Sequence, residues 1–201
     1  MNLLQIINRV ADLVSLSPFT AVASTGDENA KTMLVLANEA GEEIARRVDW
    51  QSMLKTATIT ATPYTVPEDF HRLIPGAAIR TSAGQPVRPV TNGSEWSLLS
   101  VAPSAQPFFF REGGKFKFLP TAAAVNATFS YVSTQWVLAA NGSDRKIALT
   151  ADDDRVLFPD RLLEKGIAWR WKRQKGLDFS DILAEFEADL AQEIRSDRGL
   201  S

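Results

Sequence analysis

Leu3, Ile6, Ile7, Val10, Leu13 and Val14 recur at intervals of three and four residues, which predicts an amphipathic helix. The pattern stops at Ser15, and Pro18 closes it. A polar loop, Ser24-Thr25-Gly26-Asp27, follows. Asp27 suits an N-cap, because its carboxylate accepts from backbone N–H groups that the first turn leaves free. From Asp27 to about Trp50 a second helix is expected. Ala30, Met33, Leu34, Ala37, Ala40, Gly41, Ile44 and Val48 share one face, with Lys31, Glu39, Glu42, Glu43 and Arg46 opposite. Gly41 lowers helix propensity by about 1 kcal/mol relative to Ala. The small residues Ala37, Ala40 and Gly41 therefore predict a neighbouring helix in close approach.

From Thr56 to about Val137 the period changes. Thr58-Ile59-Thr60 is β-branched, and prolines at 63, 67, 75, 86, 89, 103, 107 and 120 argue against long helices. Phe108-Phe109-Phe110-Arg111-Glu112-Gly113-Gly114-Lys115-Phe116-Lys117-Phe118 reads as two aromatic strands around a Gly-Gly turn. Phe116 and Phe118 alternate with Lys115 and Lys117, so one face is buried and the other solvated. Ala127, Phe129 and Tyr131 alternate in the same way with Thr128 and Ser130.

Pro159 fits the start of the next helix, where its missing N–H leaves no bond unmade. Leu162, Leu163, Gly166, Ile167, Trp169 and Leu177 lie on or near one face of a helix ending at Gly176, and Arg170 and Arg173 fall on that same face. A last helix follows with the stripe Phe179, Ile182, Leu183, Phe186, Leu190 and Ile194. The short link Gly176-Leu177-Asp178 predicts that these two helices pack antiparallel. The expected architecture is thus α+β: an antiparallel helical bundle from residues 1–55 and 156–201, with a small antiparallel β-sheet inserted at 56–155.

Composition narrows the chemistry. With 201 residues, 45% of them apolar, the chain can bury a core without covalent staples. Zero cysteines exclude disulfides, thiolate metal sites and a cysteine nucleophile, and a single histidine excludes a multi-histidine metal site. No catalytic, cofactor or metal residue is therefore assigned. A net charge of −2 argues against a protein that holds DNA tightly. No apolar run approaches the length of a membrane span, and the first residues lack the basic region of a signal peptide. His71 lies near Asp69 and Glu68, and a His–Asp pair could act as a general base. No Gly-x-Ser-x-Gly elbow supplies a nucleophile, so a structural histidine is the expectation. Asp152-Asp153-Asp154 lacks the alternating register of a calcium loop and reads as a solvated loop with capping carboxylates.

Three features remain. Trp169 to Lys175 interleaves tryptophans with Arg170, Lys172, Arg173 and Lys175. Structural ion pairing, a protein interface and nucleic-acid binding all draw on such a stretch. The first is expected here, because cations complement a helix C-terminus and the last helix supplies acids. The five tryptophans are many for this length. They fit interface anchors or a core covered by a second layer. The end of the chain, 196–201, is polar and predicts a docking segment rather than a folding one. Trp171, Lys172, Lys175, Arg198 and Leu200 are the candidate contacts to a partner protein or to a neighbouring subunit.

The order of these pieces carries a resemblance. It runs from Leu36-Ala37-Asn38-Glu39-Ala40-Gly41 and Asp49-Trp50-Gln51 to Tyr64-Thr65-Val66-Pro67, the Phe/Gly-Gly/Phe hairpin and Tyr131-Val132-Ser133. It ends in Leu157-Phe158-Pro159-Asp160-Arg161 through Trp171-Lys172 and Gly176-Leu177-Asp178-Phe179. From Leu3 to about Arg195 the chain resembles the head-to-tail adaptor proteins of short-tailed bacteriophages. The resemblance implies a helical bundle with a β-rich insertion and self-assembly into a ring, typically twelvefold. The ring would dock under the portal protein and join the tail nozzle or tail tube below, in the neck of the virion. Genome DNA would pass through its lumen without specific binding. The family has no catalytic residues or cofactor to carry over. A monomeric ligand-binding or regulatory module is the alternative, which ring assembly would separate from the first; an enzyme using His71 with Asp69 is a third.

Overall fold

The computed structural model describes residues 1–102 and 104–199. Along the chain, α1 (Leu3–Leu13) and α2 (Glu28–Arg47) come first. The strands β1 (Leu54–Ile59), β2 (Tyr64–Thr65), β3 (Phe70–Leu73), β4 (Ile79–Arg80) and β5 (Pro86–Val90) follow. Next are α3 (Gly93–Val101), β6 (Phe108–Glu112), β7 (Lys115–Leu119) and β8 (Ala127–Ser133). The chain ends with β9 (Val137–Leu138), β10 (Arg145–Lys146), β11 (Arg155–Val156), α4 (Asp160–Gln174) and α5 (Ser180–Asp197). These elements divide between two compact units. A helical unit comprises Met1–Met53 and Thr134–Ser201, and a β unit comprises Leu54–Ser133.

In the helical unit, α4 is central and packs against α1, α2 and α5. Its residues from Gly166 to Trp171 are all buried, because neighbours cover it on several sides. Asn2 caps α1 with a reciprocal capping box through Gln5, and Asp27 caps α2 by accepting from Ala30 N at 2.9 Å. The α2 core face follows the predicted spacing except that Leu34 is only half-buried and Leu36 and Ala45 are buried in addition. Leu13, placed on the α1 core face by its spacing, is instead 62% exposed, while Ala11 is buried. The expected close approach of a helix occurs one residue away from Gly41. A Cβ on Gly166 of α4 would stand 3.1 Å from Ala40 Cβ. Gly41 itself receives the Trp136 indole, and a Cβ there would lie 2.2 Å from that ring. Gly41→Ala is therefore expected to destabilise by about 1–3 kcal/mol despite its gain in helix propensity, since the buried Trp136 ring, stacked on Phe158, must shift to admit the methyl group. Denaturant unfolding measures it, and unchanged stability would show that the indole can move.

The β unit overturns the small antiparallel insertion. Its sheet has eight strands, in the order β1-β8-β4-β5-β6-β7-β2, with β3 also paired to β8. It is mixed: β5 and β6 are parallel, in register Arg88↔Phe108, Pro89↔Phe109 and Val90↔Phe110. A parallel pair needs a long crossover, and α3 provides it. The prolines hid that helix. Pro89 and Pro107 lie outside it, and Asn92 caps it by accepting from Ser94 N at 2.8 Å. The sheet also curls. Three strands separate β7 from β8, about 19 Å in a flat sheet, yet the Phe116 and Phe129 rings are 5.5 Å apart. The first and last strands of the path, β1 and β2, are joined by residues 60–63 alone, so the sheet is nearly closed. Phe109, Phe116, Phe118, Phe129 and Tyr131 fill its interior. The β6–β7 hairpin is as expected, with Gly113 and Gly114 both at positive φ (56° and 73°), as a type I′ turn requires. A second sheet, β10-β9-β11, lies in the helical unit and has no counterpart in the expected architecture.

Candidate functional site

The basic end of α4 is built by a Schellman stop. Gly176 takes φ 69°, Leu177 N donates to Lys172 O at 2.9 Å, and Gly176 N donates to Arg173 O at 3.1 Å. This leaves Lys172, Arg173 and Lys175 on the last turn, where their charge complements the free carbonyls. The acids of α5 do not offset them. α5 instead meets the first half of α4, where Arg161 pairs with Asp189 at 2.9 Å and Lys165 reaches Glu185 at 2.8 Å and Asp189 at 2.9 Å. Burial disfavours charge on Lys165, but these two acids outweigh it and hold its pKa above the usual lysine range. Among the described residues, no carboxylate forms an ion pair with Lys172, Arg173 or Lys175.

Each tryptophan has a place. Trp50, Trp136, Trp169 and Trp171 are buried. Trp50 Nε1 donates to Ile44 O at 3.1 Å, and Trp136 stacks on Phe158 at 5.8 Å. Lys175 Nζ lies 4.5 Å from the Trp171 ring centroid. Trp96 is half-buried and stacks on Phe110 at 5.5 Å. Most of the tryptophans therefore serve the core of this chain. In the helical unit, α2 and Phe158 cover Trp136.

Arg170 resolves within the fold. Its guanidinium pairs with Glu43, donates to Gly166 O at 2.8 Å and lies 4.2 Å over the Trp169 ring. Burial pushes its pKa below the usual arginine range, against the attraction of Glu43 and Glu39. Arg173 differs: it contacts the Trp169 ring at 4.9 Å and has no carboxylate partner among the described residues. Two adjoining grooves, of about 440 Å³ and 450 Å³, share Glu39, Arg170 and Arg173 and form one cleft along α2 and α4. Leu36 and Trp169 give it an apolar floor, and Val35, 56% exposed, lies at its edge. Val35 is absent from the predicted core face of α2. Together with Leu36, also off that face, and Arg173 on the apolar face of α4, it was the trace of the cleft in the sequence.

The other candidates are structural. Asp69 accepts from Lys55 at 2.6 Å, Ser133 at 2.7 Å and Tyr131 at 2.9 Å. Burial works against its charge, but these three donors hold its pKa below the usual carboxylate range. His71 Nδ1 faces the Arg72 guanidinium at 2.9 Å. In the Asp152-Asp153-Asp154 run, Asp152 accepts from Val22 N and Ala23 N, Asp153 from Asn2, and Asp154 from Thr150 N and Ala151 N. Asp152 and Asp154 cap backbone as expected and Asp153 meets the Asn2 side chain, but Asp154 is buried rather than solvated. Among the described residues, no group of acids or histidine is arranged to hold a metal, and no helix is long and apolar enough to cross a membrane. At the chain's end, α5 continues through Asp197, whose carboxylate accepts from Gln51 N at 3.0 Å. The segment beginning at Ser196 is therefore partly in the fold. Arg198 is exposed, and Leu200 lies outside the described residues.

Compared with known families, the chain matches the model of the SU10 adaptor protein family over residues 1–200. No curated protein matches it.

Proposed function

The chain belongs to the SU10 adaptor protein family, structural proteins of the phage virion, and on that premise we propose that it works as a ring between head and tail. The ring, twelvefold, docks beneath the portal protein and joins the tail nozzle or tail tube below, and genome DNA passes through its lumen. The family match over residues 1–200 carries this reading. Two features of the chain support it. The basic end of α4 forms no ion pair among the described residues, Asp178 acting on Lys172 only through its longer-range charge, so Lys172 and Lys175, the latter resting on buried Trp171, are available to another protein. The net charge of −2 suits a conduit, since counterion release then gives passing DNA little hold. The protein's role is mechanical, with no reaction assigned to His71 or Asp69.

We place part of the portal contact in residues 198–201, through Arg198 and Leu200, because Asp197 is the last side chain seen tied to the rest of the chain. Portal rings mixed with the full chain should acquire a visible second ring. Deleting residues 198–201 should change stability by no more than about 0.5 kcal/mol, as for other surface changes, and should weaken co-sedimentation with portal. A full chain that stays monomeric and unattached would defeat the ring. Undiminished attachment after truncation would remove only the tail from the contact.

A further inference from the structure

A ring requires a heterologous contact, in which one surface of a subunit meets a different surface of the next copy. Two features of this chain have the complementary form. The first is α3. None of its nine residues is buried, and Leu98 and Val101 are 68% and 79% exposed. With Glu95 they lie three residues apart along one stripe, and Glu95 is the only charged residue of the helix. The second is the α2–α4 cleft, with its floor of Leu36 and Trp169 and with Arg173, which has no carboxylate partner among the described residues.

Shape, length and charge agree. An exposed helix with apolar anchors at this spacing fits a concave groove with an apolar floor. Nine helical residues span about 14 Å, and the stretch of α2 from Thr32 to Arg47 that lines the cleft spans about 24 Å. Four arginines against three glutamates line the cleft, opposite in sign to α3. We infer that α3 of one copy docks in the α2–α4 cleft of the next, with Leu98 and Val101 on the apolar floor and Glu95 toward Arg173. This rests on the ring proposed above and names the two surfaces that close it.

The chain contains no cysteine, so introduced thiols report only on themselves. A variant with Val35→Cys and Leu98→Cys, assembled on portal rings and treated with a bifunctional maleimide, should give a ladder of covalent multimers. Either single variant should yield at most dimers. Leu98→Asp, at a solvent-exposed position, should keep the melting temperature and lose ring assembly about tenfold or more, as truncation of an interface anchor does. If rings are imaged while the double variant runs as monomer, or its thiols link to a different virion protein, the contact is overturned. Undiminished assembly of Leu98→Asp would overturn it too. Absence of rings from the unmodified protein would instead defeat the ring itself.

Discussion

Phe186→Ala is expected to lower the stability of the helical unit by about 3–5 kcal/mol, the range for removing a fully buried phenylalanine. Phe186 has no exposed surface, and the position a Cβ on Gly166 would occupy is 3.6 Å from its ring. Gly166 has no side chain to move into the space, and it sits mid-way along α4, which α1, α2 and α5 hold in place. The cavity would therefore persist, and the loss should fall in the upper part of the range. Arg47, which lies 6.0 Å over the same ring and pairs with Glu187, would lose its apolar support. Phe186→Leu, which keeps most of the volume, should cost less than about 1.5 kcal/mol. Denaturant unfolding followed by far-UV circular dichroism separates the two variants. A loss below about 1 kcal/mol for the alanine variant would mean that the site collapses or that α5 is not held as described.

Asp154→Ala is expected to cost about 3–5 kcal/mol, as for breaking a buried ion pair by removing one partner. The Asp154 carboxylate accepts from Thr150 N at 2.8 Å, Ala151 N at 2.9 Å and Lys146 Nζ at 2.5 Å. Its own backbone carbonyl accepts from Leu3 N at 2.8 Å, so the same residue ties down the first turn of α1. Lys146 is partly exposed and can regain water, which places the loss near the lower end. Burial raises the pKa of Asp154, but Lys146 and the two backbone donors outweigh it, so the net shift is downward. A carboxylate with a depressed folded pKa adds stability above its unfolded value of about 3.9 and loses it as pH falls through the folded value. The unmodified protein should therefore lose stability on acidification below about pH 4, and Asp154→Ala should show a shallower acid limb. Identical acid limbs would show that Asp154 is not the group responsible.

Most of the helical unit was legible from local pattern. The three- and four-residue spacing of Leu3 to Val10, of Ala30 to Ile44 and of Leu162 to Ile167 marks α1, α2 and α4, and Asp27 and Gly176 mark a start and a stop. Gly113-Gly114 was readable in the same way, because a tight turn at positive φ leaves glycine few substitutes. Each of these depends on residues within a turn or two of one another, so near neighbours in the chain suffice to specify it.

The nearly closed sheet was decided only in three dimensions. β2, β4, β9, β10 and β11 are two residues long, too short to show any period. Pairing β5 parallel to β6, and bringing Phe116 against Phe129, are matters of distant partners that no local spacing encodes. The candidate surfaces divide along the same line. The basic end of α4 was visible as composition. That Arg170 finds Glu43 while Arg173 finds no carboxylate among the described residues depends on which face of α2 meets α4. Equivalent cations three residues apart on one helix were separated by tertiary packing alone: burial demands a partner for one, and solvent relieves the other of that need.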